Sequence, residues 1–332
     1  MTEIKPTKRI IKRRKKKQSQ THIERLDCYR GKLVLPVSSV ANYVRRYFNA
    51  EIKQLKSLIR KYPDETELRA NMTPELTAFV TSKIAQIIES KNRQLWKKHV
   101  AQNPTIKTQW LAVMQNKRPA IQCTLAAMRK QADPKWVDVT EANWAQKLTY
   151  PEKLNVICNK YLYRVGAQSI THLTIFLQIL VHKLISETFF ATSKQDISVM
   201  KKRHFTSAIS SLDNPLRTYF MSMPTINRVM MDETYEKHPS ADKFINYVNR
   251  VFKQMKPSGI KGSSSREFKQ ICANTICETI QKMCSELESY LTISNAKTIK
   301  DTFVTEACFR SARDIGLDVD KMHAWYNELQ NA

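Results

Sequence analysis

The sequence predicts an all-α protein, and three observations point there. Only 5 glycines occur in 332 residues, far below the usual ~7%, so the turns that sheet-rich folds need are scarce. No GxGxxG or GxxxxGK[ST] motif is present, which removes strand–loop–helix phosphate cradles. Apolar residues recur every three or four positions along three long stretches, the signature of helices that bury one face. With 42% apolar content the chain can build real cores, and its length predicts two or three units.

The first element is a charge run. Nine of the thirteen residues from Lys5 to Lys17 are Lys or Arg, a density that repels itself and cannot pack, so residues 1–30 read as a disordered basic tail. Phosphate binding and nuclear import are its expected uses.

After the tail, a short helix, a long helix and a short helix recur three times. The first long helix spans about Pro74 to His99, with Thr73 as N-cap and Pro74 in its first turn. The second spans Ile170 to Thr192, and the third Ser265 to Leu291. Short helices precede them at Val37–Phe48, Lys153–Tyr163 and Asp242–Met255. Others follow at Thr108–Gln115, Lys202–Leu212 and Asp301–Arg313. Thr105-Ile106-Lys107-Thr108 and Thr298-Ile299-Lys300-Asp301 read as matching loops, each anchored by its isoleucine, with Thr or Asp capping the next helix. The implied domains are 31–117, 151–220 and 241–332, joined by a helix-bearing linker at 118–150 and a linker at 221–240. A 24-residue helix is about 36 Å long, and two short helices cannot cover its apolar face. Each unit therefore has to bury itself against another copy.

Other classes lose support. The apolar run Leu173–Ile185 carries Gln178, His182 and Lys183 and falls short of the ~20 residues that cross a bilayer, so no membrane partner is expected. Seven cysteines at 28, 123, 158, 272, 277, 284 and 308 form no CxxC pair, which argues against a disulfide framework or zinc site. No HExxH or Cys–His arrangement supports catalysis, so no enzyme, catalytic residue, metal or cofactor is expected. His172 and His182 read as surface or interface residues, and Trp136 and Trp144 as packing for a linker helix rather than base-stacking platforms.

The residues then sharpen into a resemblance. Asn246-Tyr247-Val248-Asn249-Arg250-Val251-Phe252-Lys253-Gln254-Met255-Lys256-Pro257, followed by Gly259-Ile260 and Ser263-Ser264, resembles the opening of histone 2B. Arg164-Val165-Gly166-Ala167, with Arg203-His204-Phe205 and Ala208-Ile209, is similar to histone 2A. The first unit also opens like histone 2A, at Leu33, Leu35-Pro36-Val37, Val40 and Arg45-Arg46, before a charged insertion from Asn49 to Leu68. The whole resembles core histones fused in tandem, as in the viral histone doublets and triplets of giant DNA viruses.

That resemblance implies three tandem histone folds and sequence-independent binding and compaction of double-stranded DNA. Its expected setting is the host nucleus or viral factory, and the virion. Units two and three would pair within the chain, and the odd unit would pair with itself or with another histone-like chain. Lys and Arg would reach phosphates and the minor groove, helped by helix N-termini. Carried over by position, the DNA-binding candidates are Lys12, Arg13, Arg14, Lys15, Lys16 and Lys17 in the tail, and Arg45, Arg46, Lys97, Lys98 and Lys107 in the first unit. Arg164, Lys201, Lys202 and Arg203 follow in the second, and Lys253, Lys256, Lys261, Lys297 and Lys300 in the third. Two departures stand out. Val199 occupies the place of a second-loop arginine, and Gln178, Lys183 and Ser186 replace much of the acidic surface cluster of histone 2A. The alternative is a histone-fold interaction scaffold of a transcription complex, which needs no positive edge. The net charge of +25 argues against it.

Overall fold

The computed structural model describes residues 27–115, 124–166, 168–192, 199–256, 263–294 and 296–331. Among them the chain forms sixteen α-helices and four two-residue strands. It divides into two compact bodies. One comprises the described residues up to Arg45 together with those from Val165 onward, and the other the described residues of Arg46–Arg164. The second body is therefore an insertion into the first.

The first helix, α1 (Val37–Phe48), begins in the first body, where Val40, Ala41 and Val44 are buried. Its Tyr43 hydroxyl lies 2.9 Å from His238 Nε2. Arg45 donates to the Val165 carbonyl at 3.0 Å, so the residues on either side of the insertion are joined.

The inserted body contains α2 (Ala50–Lys61), α3 (Glu65–Ala70), α4 (Pro74–Gln102), α5 (Pro104–Gln115), α6 (Leu125–Ala132), α7 (Glu141–Ala145) and α8 (Tyr150–Lys160). Helix α4 starts as its sequence dictates, with Pro74 in the first turn and Thr73 Oγ1 accepting from Leu76 N at 3.3 Å. One stripe of it, Leu76, Val80, Ile84 and Ile87, packs with Ile52 and Leu55 of α2, Leu68 of α3, and Tyr150, Leu154, Ile157 and Cys158 of α8. Asn49 ties the two ends of this body together: its amide donates to Tyr163 O (3.1 Å) and its oxygen accepts from Tyr163 N (2.8 Å). The Arg129 guanidinium of α6 is 2% exposed and held by Glu89 of α4 at 2.9 Å and by Asp138 at 2.8 Å. Removing one member of such a buried set leaves like charges unneutralised. Arg129→Met is expected to destabilise the inserted body by about 3 kcal/mol, checked by urea unfolding followed through tryptophan emission.

In the first body, β1 (Arg164–Val165) leads through a short 3₁₀ turn to α9 (Thr171–Ala191). There follow β2 (Val199–Met200), α10 (Lys202–Ser210), α11 (Asn214–Met221), α12 (Pro224–Met230), α13 (Asp242–Met255), β3 (Ser263–Ser264), α14 (Arg266–Ser294), β4 (Thr298–Ile299), α15 (Asp301–Asp314) and α16 (Val319–Asn331). Helix α9 is the centre, packed by α10, α13, α14, α15 and α16. The segment Gln168–Ala191 is 24 residues long and, by length and composition, apolar enough to cross a membrane, which corrects the expectation drawn from Leu173–Ile185. In the fold, 89% of its most apolar window is buried, and a helix covered on all sides needs that composition.

A strap at residues 27–35 lies on α9. The buried Gln178 side chain accepts from Val34 N (2.6 Å) and Leu35 N (3.1 Å) and donates to Lys32 O (2.9 Å). His182 donates from Nδ1 to Cys28 O at 3.1 Å, which leaves Nε2 to face the Gln178 amide at 3.3 Å. Trp325 Nε1 donates to Gly31 O at 3.0 Å, so α16 clamps the strap. Gly31 adopts φ +90 there, a conformation that favours glycine. Burial pushes the His182 pKa from 6.5 down to about 4. The folded state thus binds fewer protons than the unfolded chain between those values, and stability is lost as pH falls from 6.5 toward 4. The expected loss from this residue is about 3 kcal/mol. Denaturant unfolding at pH 7.5 and pH 4.5 checks it, and His182→Gln should remove most of the difference.

Several sequence expectations are corrected. The helix at Val37–Phe48 begins in the first body while α4 lies in the inserted one, so residues 31–117 form no third short–long–short unit. The helix expected to open the second unit is α8, buried in the inserted core because Leu154, Ile157 and Cys158 face α2 and α4. Thr105–Thr108 is no loop: Pro104, suited to a first helical turn, starts α5. The stretch 118–150 carries α6 and α7 inside that body. The linker placed at 221–240 holds α12, whose Thr225 donates to Glu278 of α14 through N (3.0 Å) and Oγ1 (2.6 Å). In the tail, residues 27–30 are ordered by packing, since Cys28 is buried and Tyr29 Oη accepts from Asp318 N at 2.7 Å. His172 and His182 are interior, at 3% and 0% exposure. Gln178 and Ser186 are buried as well, so their face of α9 is covered by the chain itself.

Candidate nucleic-acid interface

The site follows from how α9 and α14 are tied at their ends. Strand β2 follows α9, β3 precedes α14, and the two pair in parallel, Val199 opposite Ser263 and Met200 opposite Ser264. Ser265 N continues the ladder to Met200 O at 2.9 Å. At the other end β1, which closes at Val165 just before α9, pairs with β4 just after α14. The end of each long helix therefore meets the start of the other, and the two run antiparallel. Helix α14 has 29 residues, so the two loop pairs are separated by about 43 Å.

Each loop pair carries cations beside a helix N-terminus. At the β2–β3 pair, Lys201 and Arg203 are exposed at the start of α10. Lys202 Nζ is held 2.7 Å from Asp232 Oδ1, which directs part of its charge into an ion pair rather than toward a ligand. Lys253 and Lys256 end α13, the first exposed and the second half-buried. His204 is buried and its Nδ1 accepts from Lys201 N at 3.0 Å. Burial first, then the charges of Arg203 and Lys201, lower its pKa, so the imidazole serves this turn as a neutral acceptor. At the β1–β4 pair, Lys297 and Lys300 are exposed around the buried Ile299 anchor. Lys300 occupies the N-cap position of α15, with Asp301 in the first turn. Arg45 is exposed, and its guanidinium spans Val165 O and Asn42 Oδ1 (2.6 Å).

The other candidates fall elsewhere. Arg46, Lys97, Lys98 and Lys107 are exposed residues of the inserted body, the two lysines at 97 and 98 on α4 and Lys107 on α5. Because no loop separates those helices in the expected manner, Lys97, Lys98 and Lys107 border no loop pair of their own. Arg164 is exposed at the last position of the inserted body. Lys12, Arg13, Arg14, Lys15, Lys16, Lys17 and Lys261 lie outside the described residues. Val199 sits in the β2 ladder, where an apolar side chain leaves no cation. Trp136 donates to Asp138 at 2.7 Å, and its ring packs 5.0 Å from both Trp96 and His99, which occupies it structurally.

Among the described residues no three His, Cys, Asp or Glu side chains gather in a way that could hold a metal ion. The six described cysteines are buried free thiols, and burial raises Cys28, Cys272 and Cys277 to about 12, a range in which thiols are poor nucleophiles near neutral pH. Sequence reasoning missed Gln178 and His182 as strap holders. Polar residues inside an otherwise apolar helix were the available signal, because a buried polar group needs a partner. No family model, curated protein or solved structure matches the chain.

Proposed function

We propose that this chain binds and compacts double-stranded DNA without regard to sequence, as a histone-like pair fused in one polypeptide. In this reading the 2A-like unit consists of α1, α9 and α10 and is interrupted by the inserted body, while α13, α14 and α15 form the 2B-like unit. The two 2A-like sequence stretches, Leu33–Arg46 and Arg164–Ile209, then belong to one unit, and no odd third unit requires a separate partner. The observation that carries the proposal is the pairing of loops at both ends of two antiparallel long helices, with exposed Lys and Arg at each pair. Helix N-termini and cations side by side form a sequence-neutral phosphate site, and two such sites about 43 Å apart can hold one duplex at two points. The resemblance to viral histones extends the proposal to packaging of a viral genome, in the host nucleus or viral factory and in the virion.

Salt titration of binding to mixed-sequence duplexes tests it. The expected result is a linear, steep fall of log Kobs with log[salt], the same for unrelated sequences. Salt-insensitive binding, or tighter binding to RNA of equal length, contradicts it. A second reading, a protein-interaction scaffold, rests on the exposed Leu95, Leu111 and Met114 of the inserted body. It predicts no steep salt dependence.

A further inference from the structure

Helix α2 has two opposed faces. Ile52 and Leu55 are buried in the inserted core, and Lys53, Lys56 and Arg60 recur at i, i+3 and i+7 on the other side, a spacing that aligns them in one stripe. Together with Ser57 and Lys61 they form one open face of this helix. No acidic, aromatic or aliphatic side chain lines it. From Lys53 to Arg60 the stripe runs about 10 Å along the helix, while a duplex carries one phosphate charge per ~1.7 Å of its axis.

We infer that this face of α2 is a second phosphate-backbone contact for duplex DNA, separate from the two loop pairs and built on the insertion. The inference rests on the DNA-binding reading and extends it to a part of the chain that the histone resemblance does not cover. The lining decides the ligand class. A surface that grips single strands offers aromatic rings for base stacking, and a protein-docking surface offers a buried aromatic or aliphatic anchor. This face offers no buried anchor, and the ring beside it, Tyr62, is already engaged by Lys61 Nζ at 5.0 Å. A row of cations with one hydroxyl contacts phosphates and reads no bases.

The test uses the full chain with Lys53→Gln, Lys56→Gln and Arg60→Gln combined. A second variant, Lys53→Gln with Arg60→Gln, spares the half-buried Lys56, and circular dichroism verifies helix content in both. The salt slope on duplex DNA is expected to flatten by about three in the triple variant and about two in the double. An unchanged slope in both, while Lys201→Gln with Arg203→Gln flattens it, overturns this inference and leaves the DNA reading intact. A salt-insensitive wild-type chain overturns that reading and this one together. A triple variant that loses poly(U) binding while keeping duplex binding overturns the assignment to duplex DNA.

Discussion

Replacing Lys201, Arg203, Lys297 and Lys300 together by glutamine is expected to flatten the salt dependence of duplex binding by about four units of slope and to weaken binding about a thousandfold at 0.15 M salt. The estimate follows from counterion release, in which each phosphate contact contributes ~0.9 to the slope. These four residues are exposed and lie at both loop pairs, two on each, so their loss removes charge from both grips at once. Glutamine keeps the stems and the fold while deleting the charge. Because phosphate contacts position a duplex without reading it, the loss should be equal on unrelated sequences. Fluorescence anisotropy across a salt series measures it. A drop confined to one DNA sequence, or a slope unchanged from wild type, would remove the loop pairs from the interface. Lys202 is left out because its ion pair with Asp232 makes its substitution harder to read.

The second large effect concerns stability. Gln178→Leu is expected to destabilise the first body by about 3–5 kcal/mol. One buried amide satisfies Val34 N, Leu35 N and Lys32 O, and leucine leaves the two N–H groups facing a side chain that cannot bond, while Lys32 O keeps only the longer bond from Gln254 Nε2 at 3.3 Å. Each unmade buried hydrogen bond costs about 1–3 kcal/mol, and the better apolar packing of leucine offsets part of it. His182 Nε2 also loses the amide that faces it at 3.3 Å. In a body of this size the loss corresponds to roughly 10 °C in Tm, read by calorimetry. A change below about 1 kcal/mol would mean that water replaces Gln178 at the strap.

Local pattern carried much of the fold. The stripes on α4, α9 and α14 place all three long helices, and α13 runs from Asp242 to Met255, the span its periodicity predicts. What local pattern lacks is the identity of a helix's partner. Leu154, Ile157 and Cys158 on α8 have the spacing of any short amphipathic helix, and nothing in that spacing says that they face Ile52 rather than α9. Local spacing alone therefore makes α8 look like the opening helix of a repeating unit. The strap was invisible for a different reason: Lys32 to Leu35 has no period, and its order depends on a glutamine 143 or more positions away. The candidate cations were legible as a class from charge alone. Which loop pair each of them lies beside depends on which loops meet: Lys201 and Lys253 fall at the β2–β3 pair, and Arg45 and Lys300 at the β1–β4 pair. The α2 stripe is visible in the sequence as charge at Lys53, Lys56 and Arg60, but only the fold shows that Ile52 and Leu55 are buried and leave it facing outward.

Nuclease digestion of the full chain reconstituted on long mixed-sequence DNA tests the central claim most directly. Two loop-pair grips on one rigid helical pair should protect a fragment of discrete length, and the band should vanish when Lys201, Arg203, Lys297 and Lys300 are all glutamine. A continuous smear from the wild-type chain, with no preferred length at any protein-to-DNA ratio, would contradict the account.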